Sequence, residues 1–176
     1  PEERALFARA GVFSGSFNAE AATAVAGFPK GSLEAVNGLA SLVAKSMVMR
    51  EGGNDGRARY RLLETLRQYA TDRLQEGGDL DTRRRRHGLY YAILAETAAP
   101  SLFAAEELRR RVRIEAEMDN LRAAVAWAMD SSASDDALLG VRIAAAIAGY
   151  AFLQPANELA SLVWRALPRL DGAPPH

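Results

Sequence analysis

Along the first 80 residues, apolar positions recur three and four apart, switch briefly to alternation, and then return to the helical spacing. Leu6, Ala10 and Phe13 follow a helical period over 1–13, and Pro1, Glu2 and Glu3 suit a first turn because proline presets φ and carboxylates favour the positive end of the helix dipole. Gly15 breaks that run. Asn18 is placed to cap a second helix over 19–27, whose apolar face is Ala22, Val25 and Ala26, and Gly27, Pro29 and Gly31 end it. Ser32 is placed to cap a third helix, in which Leu33, Val36, Leu39, Ala40 and Val43 recur up to about Lys45, so nearly all of it reads as core face.

The stretch Met47-Val48-Met49-Arg50 suits a strand. After EGGNDG, the residues Ala58, Tyr60 and Leu62 alternate with Arg57, Arg59 and Arg61, which predicts a hairpin with its arginines facing solvent. From Leu62 the period changes again: Leu63, Leu66, Ala70 and Leu74 line one helix face while Arg67, Asp72 and Arg73 turn to water, up to Gly77-Gly78. Three helices, a hairpin and a fourth helix over 1–80 are the order of a winged helix. The remainder, 81–176, reads as helix over about 81–99, 105–130, 135–153 and 156–168, broken by Pro100, Ser131-Ser132 with Ser134 as a cap, and Pro155. LLGVRIAAAIAGYAFL is apolar nearly all round, so it should be buried on most sides. Trp127 and Trp164 are spaced roughly as in a tetratricopeptide repeat. The fold expected is therefore mainly α: a winged helix followed by an antiparallel, tetratricopeptide-like helical domain that begins a superhelix.

Composition narrows the chemistry. The 176 residues contain no cysteine and two histidines, His87 and His176, which leaves no zinc site, no thiol nucleophile and little room for a Ser-His-Asp arrangement. Lys and Arg balance Asp and Glu at 22 each, so no global field draws the chain to phosphate backbones or membranes. Neither a membrane-spanning run nor a signal sequence is present, so the chain reads as a cytoplasmic segment of a longer protein.

The stretches PEERALFARAGVFSGSF, LASLVAKSMVMR, RYRLLETLRQYATDRL, RRRRHGLYYAILAETA and EAEMDNLRAAVAWAM together resemble the segment that follows the nucleotide-binding module of bacterial STAND ATPases, notably the LuxR-type and AfsR-like transcriptional regulators of actinomycetes. The resemblance covers 1 to about 130. It implies a non-catalytic regulatory segment lying between an upstream ATPase module of the same chain, where ATP or ADP binds, and helical repeats that receive an inducer or protein partner, with DNA bound through another domain. No G-x-x-x-x-G-K-[ST] loop occurs in these residues, so no cofactor is assigned to this segment. Such proteins commonly carry a His-Asp pair where the last helix of the winged helix begins, and the histidine reaches the nucleotide phosphates. The matching positions here are Leu63 and Glu64. Leucine donates no hydrogen bond, so this helix reads as scaffold, with Arg61 as the neighbouring cation.

The alternative reading is a DNA-binding winged helix. Its third helix would need Arg, Lys, Asn or Gln to reach base edges, yet 32–45 offers Ser32, Glu34, Asn37, Ser41 and Lys45. Phosphate or nucleic-acid contacts would then fall to Arg50, Arg57, Arg59 and Arg61 in the wing and to Arg83 and Arg84 of the RRRR run at 83–86. A third reading is a structural scaffold. One helical turn points the arginines of RRRR in different directions, and Asp79 and Asp81 stand just upstream to pair with them. Along EELRRRVRIEAEMDNLR, Glu107, Arg111 and Glu115 are spaced as a charged helix face, and Tyr90, Tyr91, Trp127 and Trp164 are spaced as packing anchors.

Overall fold

The structure, a computed structural model, describes residues 2–53, 56–98 and 107–151. Its elements follow the order α1 (Glu2–Ala10), α2 (Ala19–Ala26), α3 (Glu34–Ala44), β1 (Met49–Gly52), β2 (Ala58–Arg61), α4 (Glu64–Glu76), α5 (Leu80–Ala98), α6 (Glu107–Asp130) and α7 (Ser134–Ala151). The helix expected over 156–168, with Pro155 and Trp164, lies outside the described residues, as do Pro100 and Asp55. By contacts the chain divides into two compact units, Pro1–Tyr90 and Tyr91–His176.

In the first unit Asn18 caps α2 as the sequence suggests, its Oδ1 accepting the Ala21 N–H at 2.8 Å. Ser32 does not cap α3. Leu33 takes the cap position with no side-chain bond, because the Ser32 N–H closes a turn onto the Pro29 carbonyl and the helix starts one residue later than expected. The third helix also buries less than its pattern suggests. Ala35, Leu39 and Leu42 are covered where α1 and α2 pack on it, whereas Leu33 and Val36 are 67% and 40% exposed and Ala40 is exposed. So broad an apolar surface is more than two neighbours can cover.

β1 and β2 pair antiparallel with Met49 opposite Arg61 and Gly52 opposite Ala58. Phe17, in the loop after α1, adds a further rung: its N–H and C=O both bond Tyr60 at 2.8 Å. Its ring stacks on Phe13 at 4.1 Å and lies 6.3 Å from that of Tyr60, which locks the wing to the helices.

α4 covers α1 through Ala70 and Leu74. Leu63 is 51% exposed, against expectation. It still belongs to the extended segment, with ψ 148, so the strand alternation that turns Leu62 inward turns Leu63 outward. Leu66 is half-buried, and Arg67 forms a two-bond pair with Glu64 at 2.8 and 2.6 Å. Leu74→Ala should therefore cost about 2–5 kcal/mol, Leu66→Ala clearly less, and Arg67→Ala no more than about 1 kcal/mol, as for exposed pairs generally. Urea midpoints should rank in that order; equal midpoints for Leu74→Ala and Arg67→Ala would contradict the assigned face.

The second unit centres on α6 and α7, which lie against each other. Gly140 permits the approach, since a Cβ there would come within 3.0 Å of the Ala128 Cβ and collide with Met129. Ser134 is the first residue of α7 rather than its cap. Ala133 accepts the first helical bonds, and Ser131 Oγ accepts the Ala133 N–H at 3.2 Å while donating to Asp136 at 2.8 Å. Asp136 and every position from Ala137 to Ala148 except Ala145 and Ala148 are buried or half-buried, in line with the apolar pattern. Of the aromatic anchors, Tyr91 is fully buried, while Tyr90 and Trp127 are half-buried.

Candidate nucleic-acid and protein interface

The exposed side of α3 is built from Leu33, Val36, Asn37, Ala40 and Ala44. Asn37 alone among them carries a side-chain group able to read a base edge. Glu34 stands in the first turn, and the cation at the far end, Lys45, is held by Glu3 of α1 at 2.7 Å. That contact and the Ser41 hydroxyl keep the Glu3 carboxyl below its ordinary pKa. The face can dock an apolar surface, but it presents almost no hydrogen-bonding groups to a major groove.

The wing arginines divide in a way their alternation conceals. Arg50 and Arg57 are exposed and flank a shallow hollow of about 250 Å³ completed by Glu51, Gly52, Gly56 and Ala58. Arg61 is exposed and pairs with Glu51 at 3.3 Å. Arg59, expected to face solvent, is 7% exposed. Its Nε donates to Ser16 Oγ at 2.8 Å and its Nη2 to the Ser16 carbonyl at 2.6 Å. The reason is Phe17: its pairing with Tyr60 holds the adjoining Ser16 within reach of Arg59, so a side chain that alternation turns outward is covered by the neighbouring loop.

The RRRR run likewise separates by direction. Arg83 is buried, with its Nε on Asp79 at 2.7 Å and its Nη1 on the carbonyls of Val25 and Ala26 at 3.1 and 3.0 Å. Arg84 is half-buried, and Arg85 and Arg86 are exposed. His87, three residues after Arg84, is buried with its ring edge-on to Phe13 at 5.3 Å. Asp79, expected to pair with this run, holds Arg83 from four residues upstream; Ser16 and Arg9 were not singled out by the sequence, because each meets its partner from a distant part of the chain.

In the second unit, Glu117 is 1% exposed and accepts the Tyr91 hydroxyl at 2.9 Å, with Asn120 Nδ2 at 3.5 Å from the same oxygen. A carboxylate so deep needs hydrogen bonds to persist. The motif EAEMDNLR thus supplies internal fastening as well as a charged face. Asp119 pairs with Arg122 at 3.6 Å, and Glu96 of α5 makes two bonds with Arg142 of α7 at 2.7 and 2.9 Å, which lowers the carboxyl pKa and raises that of the guanidinium. The Glu107–Arg111 pairing lies outside the described side chains. Among the described residues no three His, Cys, Asp or Glu cluster as a metal site, and no helix is long and apolar enough to cross a membrane.

Three helices, a hairpin pinned by Phe17 and a closing helix form one body. Residues 1–75 match the winged helix-turn-helix domain. Beyond the winged helix the similarity continues. "Putative HTH-type transcriptional regulator Rv0890c" of Mycobacterium tuberculosis is 38% identical over 137 residues, 77% of this chain and 15% of that protein. "Putative HTH-type transcriptional regulator Mb0914c" of Mycobacterium bovis matches to the same extent. "Uncharacterized protein Rv0894" of Mycobacterium tuberculosis is 41% identical over 90 residues, 48% of this chain and 23% of that protein. The chain thus spans about 15% of the length of the first of these relatives. No solved structure matches it.

Proposed function

We propose that this chain is a non-catalytic regulatory segment of a cytoplasmic transcriptional regulator of the STAND ATPase kind. In this reading the winged helix docks on an ATPase module of the same protein and couples its nucleotide state to packing and oligomerisation, while the helical unit begins a repeat stack that receives an inducer or protein partner. The observation that carries the reading is the solvent face of α3, where Leu33, Val36 and Ala40 are exposed and the cation at the far end of the helix, Lys45, is bound by Glu3. Such a face suits an apolar protein surface and is poor at reading bases. Similarity to proteins named as transcriptional regulators supports the regulatory setting.

A second reading, a DNA-binding winged helix, is favoured by exposed Arg50 and Arg57 on either side of the wing hollow. A duplex competition assay separates the two. Binding by this chain is expected to be weak, to ignore sequence, to fade steeply between low and near-physiological salt, and to fall with Arg50→Ala/Arg57→Ala, because phosphate contacts give affinity without sequence information. A sequence-selective complex at physiological salt that is lost on Asn37→Ala would overturn the first reading in favour of the second.

A further inference from the structure

Three arginines from two helices converge on the C-terminal end of a third. Arg9 Nη1 of α1 and Arg83 Nη1 of α5 both donate to the Ala26 carbonyl at 3.0 Å, and Arg83 also reaches Val25. Gly27 follows in the left-handed region at φ 80. A Cβ there would collide with Arg86 Nη1 and lie 3.3 Å from Arg83 Nη1. The Arg86 guanidinium therefore lies over Gly27 beside that of Arg83, and the absence of a side chain is what makes room for it.

The charges in this corner do not balance. Asp79 offsets one guanidinium, and the carbonyl end of α2 contributes about half a negative charge. That leaves a surplus of roughly one and a half positive charges in a partly buried place. The pKa of Arg9 is lowered by burial and by Arg83 and Arg86, against the opposing field of Asp79. Capping α2 does not explain the third arginine, because Arg9 and Arg83 already bond its last two carbonyls, those of Val25 and Ala26.

We propose that Arg9, Arg83 and Arg86 form a binding site for a phosphate-class oxyanion. Arg83, anchored by Asp79 and α2, is the fixed floor, and Arg9 and exposed Arg86 are the arms. Planar guanidinium forks match the oxygens of such an anion and lose little freedom in doing so when one is already fixed. Binding would neutralise the surplus and tighten α1, α2 and the start of α5 around one ion. None of the three arginines belongs to α3 or lines the wing hollow, so the site needs neither the base-reading helix nor the wing.

The test is thermal unfolding of the chain in inorganic phosphate, in pyrophosphate and in chloride at matched ionic strength and pH. Phosphate is expected to raise the midpoint by about 3 °C over chloride once well above its dissociation constant. Arg86→Ala, a change at an exposed side chain, should abolish most of that rise, and Arg57→Ala in the wing should leave it intact. A rise with pyrophosphate as well as phosphate identifies a site open to substituted phosphates, and a rise with phosphate alone identifies one for the free ion. No rise over chloride, or an equal rise in Arg86→Ala, would overturn the proposal.

Discussion

Replacing Phe17 by alanine is expected to cost about 3–5 kcal/mol, enough to bring a small domain close to its unfolding threshold. Phe17 is fully buried. It stacks on Phe13, contacts Tyr60 and bonds the backbone of β2 in both directions, so one ring serves both the helical core and the wing. Truncation leaves a cavity between the two that neither side can collapse to fill. The backbone rung does not need the ring, however, so Phe17→Leu should recover more than half of the loss. Chemical denaturation monitored by circular dichroism measures both variants. A Phe17→Ala midpoint within error of the parent would show that the wing is held in some other way.

Arg59→Ala should be the next most damaging change, at about 2–4 kcal/mol, because hydrogen bonds to charged groups are worth about 1.5–3 kcal/mol each and Ser16 would lose both of its guanidinium donors. Arg59→Lys should recover little, since an ammonium cannot reproduce the two-pronged contact with the Ser16 hydroxyl and carbonyl. The measurement also separates two roles. If Arg59 served DNA phosphates from the surface, Arg59→Ala would lower duplex affinity and leave the unfolding midpoint alone; the structure requires the midpoint to fall. Arg57→Ala, at an exposed neighbour on the same hairpin, should do the reverse.

Hydrophobic spacing by itself determined the order of elements: three helices, a hairpin, a fourth helix and then helices alone, with Asn18 as a cap and Gly27 as a stop. These features are local. A period of three to four, a capping side chain and a glycine that turns left-handed all act within one or two turns of chain, so the sequence displays them directly. It also displayed the poverty of α3 as a base-reading surface, because residue types alone decide which groups can donate to a base.

Only the tertiary structure decided which arginines are available. Arg59 and Arg61 look alike in the pattern, yet one is buried on Ser16 and the other pairs with Glu51 at the surface. Arg83 and Arg86 are neighbours in one basic run, yet one fastens α2 and the other projects above Gly27. The same holds for apolar residues: Leu62 is buried and Leu63 exposed, and α3 keeps Leu33 and Val36 outside. Periodicity states which side chains share a face, but burial depends on whether another element covers that face. In this chain the covering elements, Phe17 beside β2 and α2 beneath Arg83, come from 43 and 57 residues away.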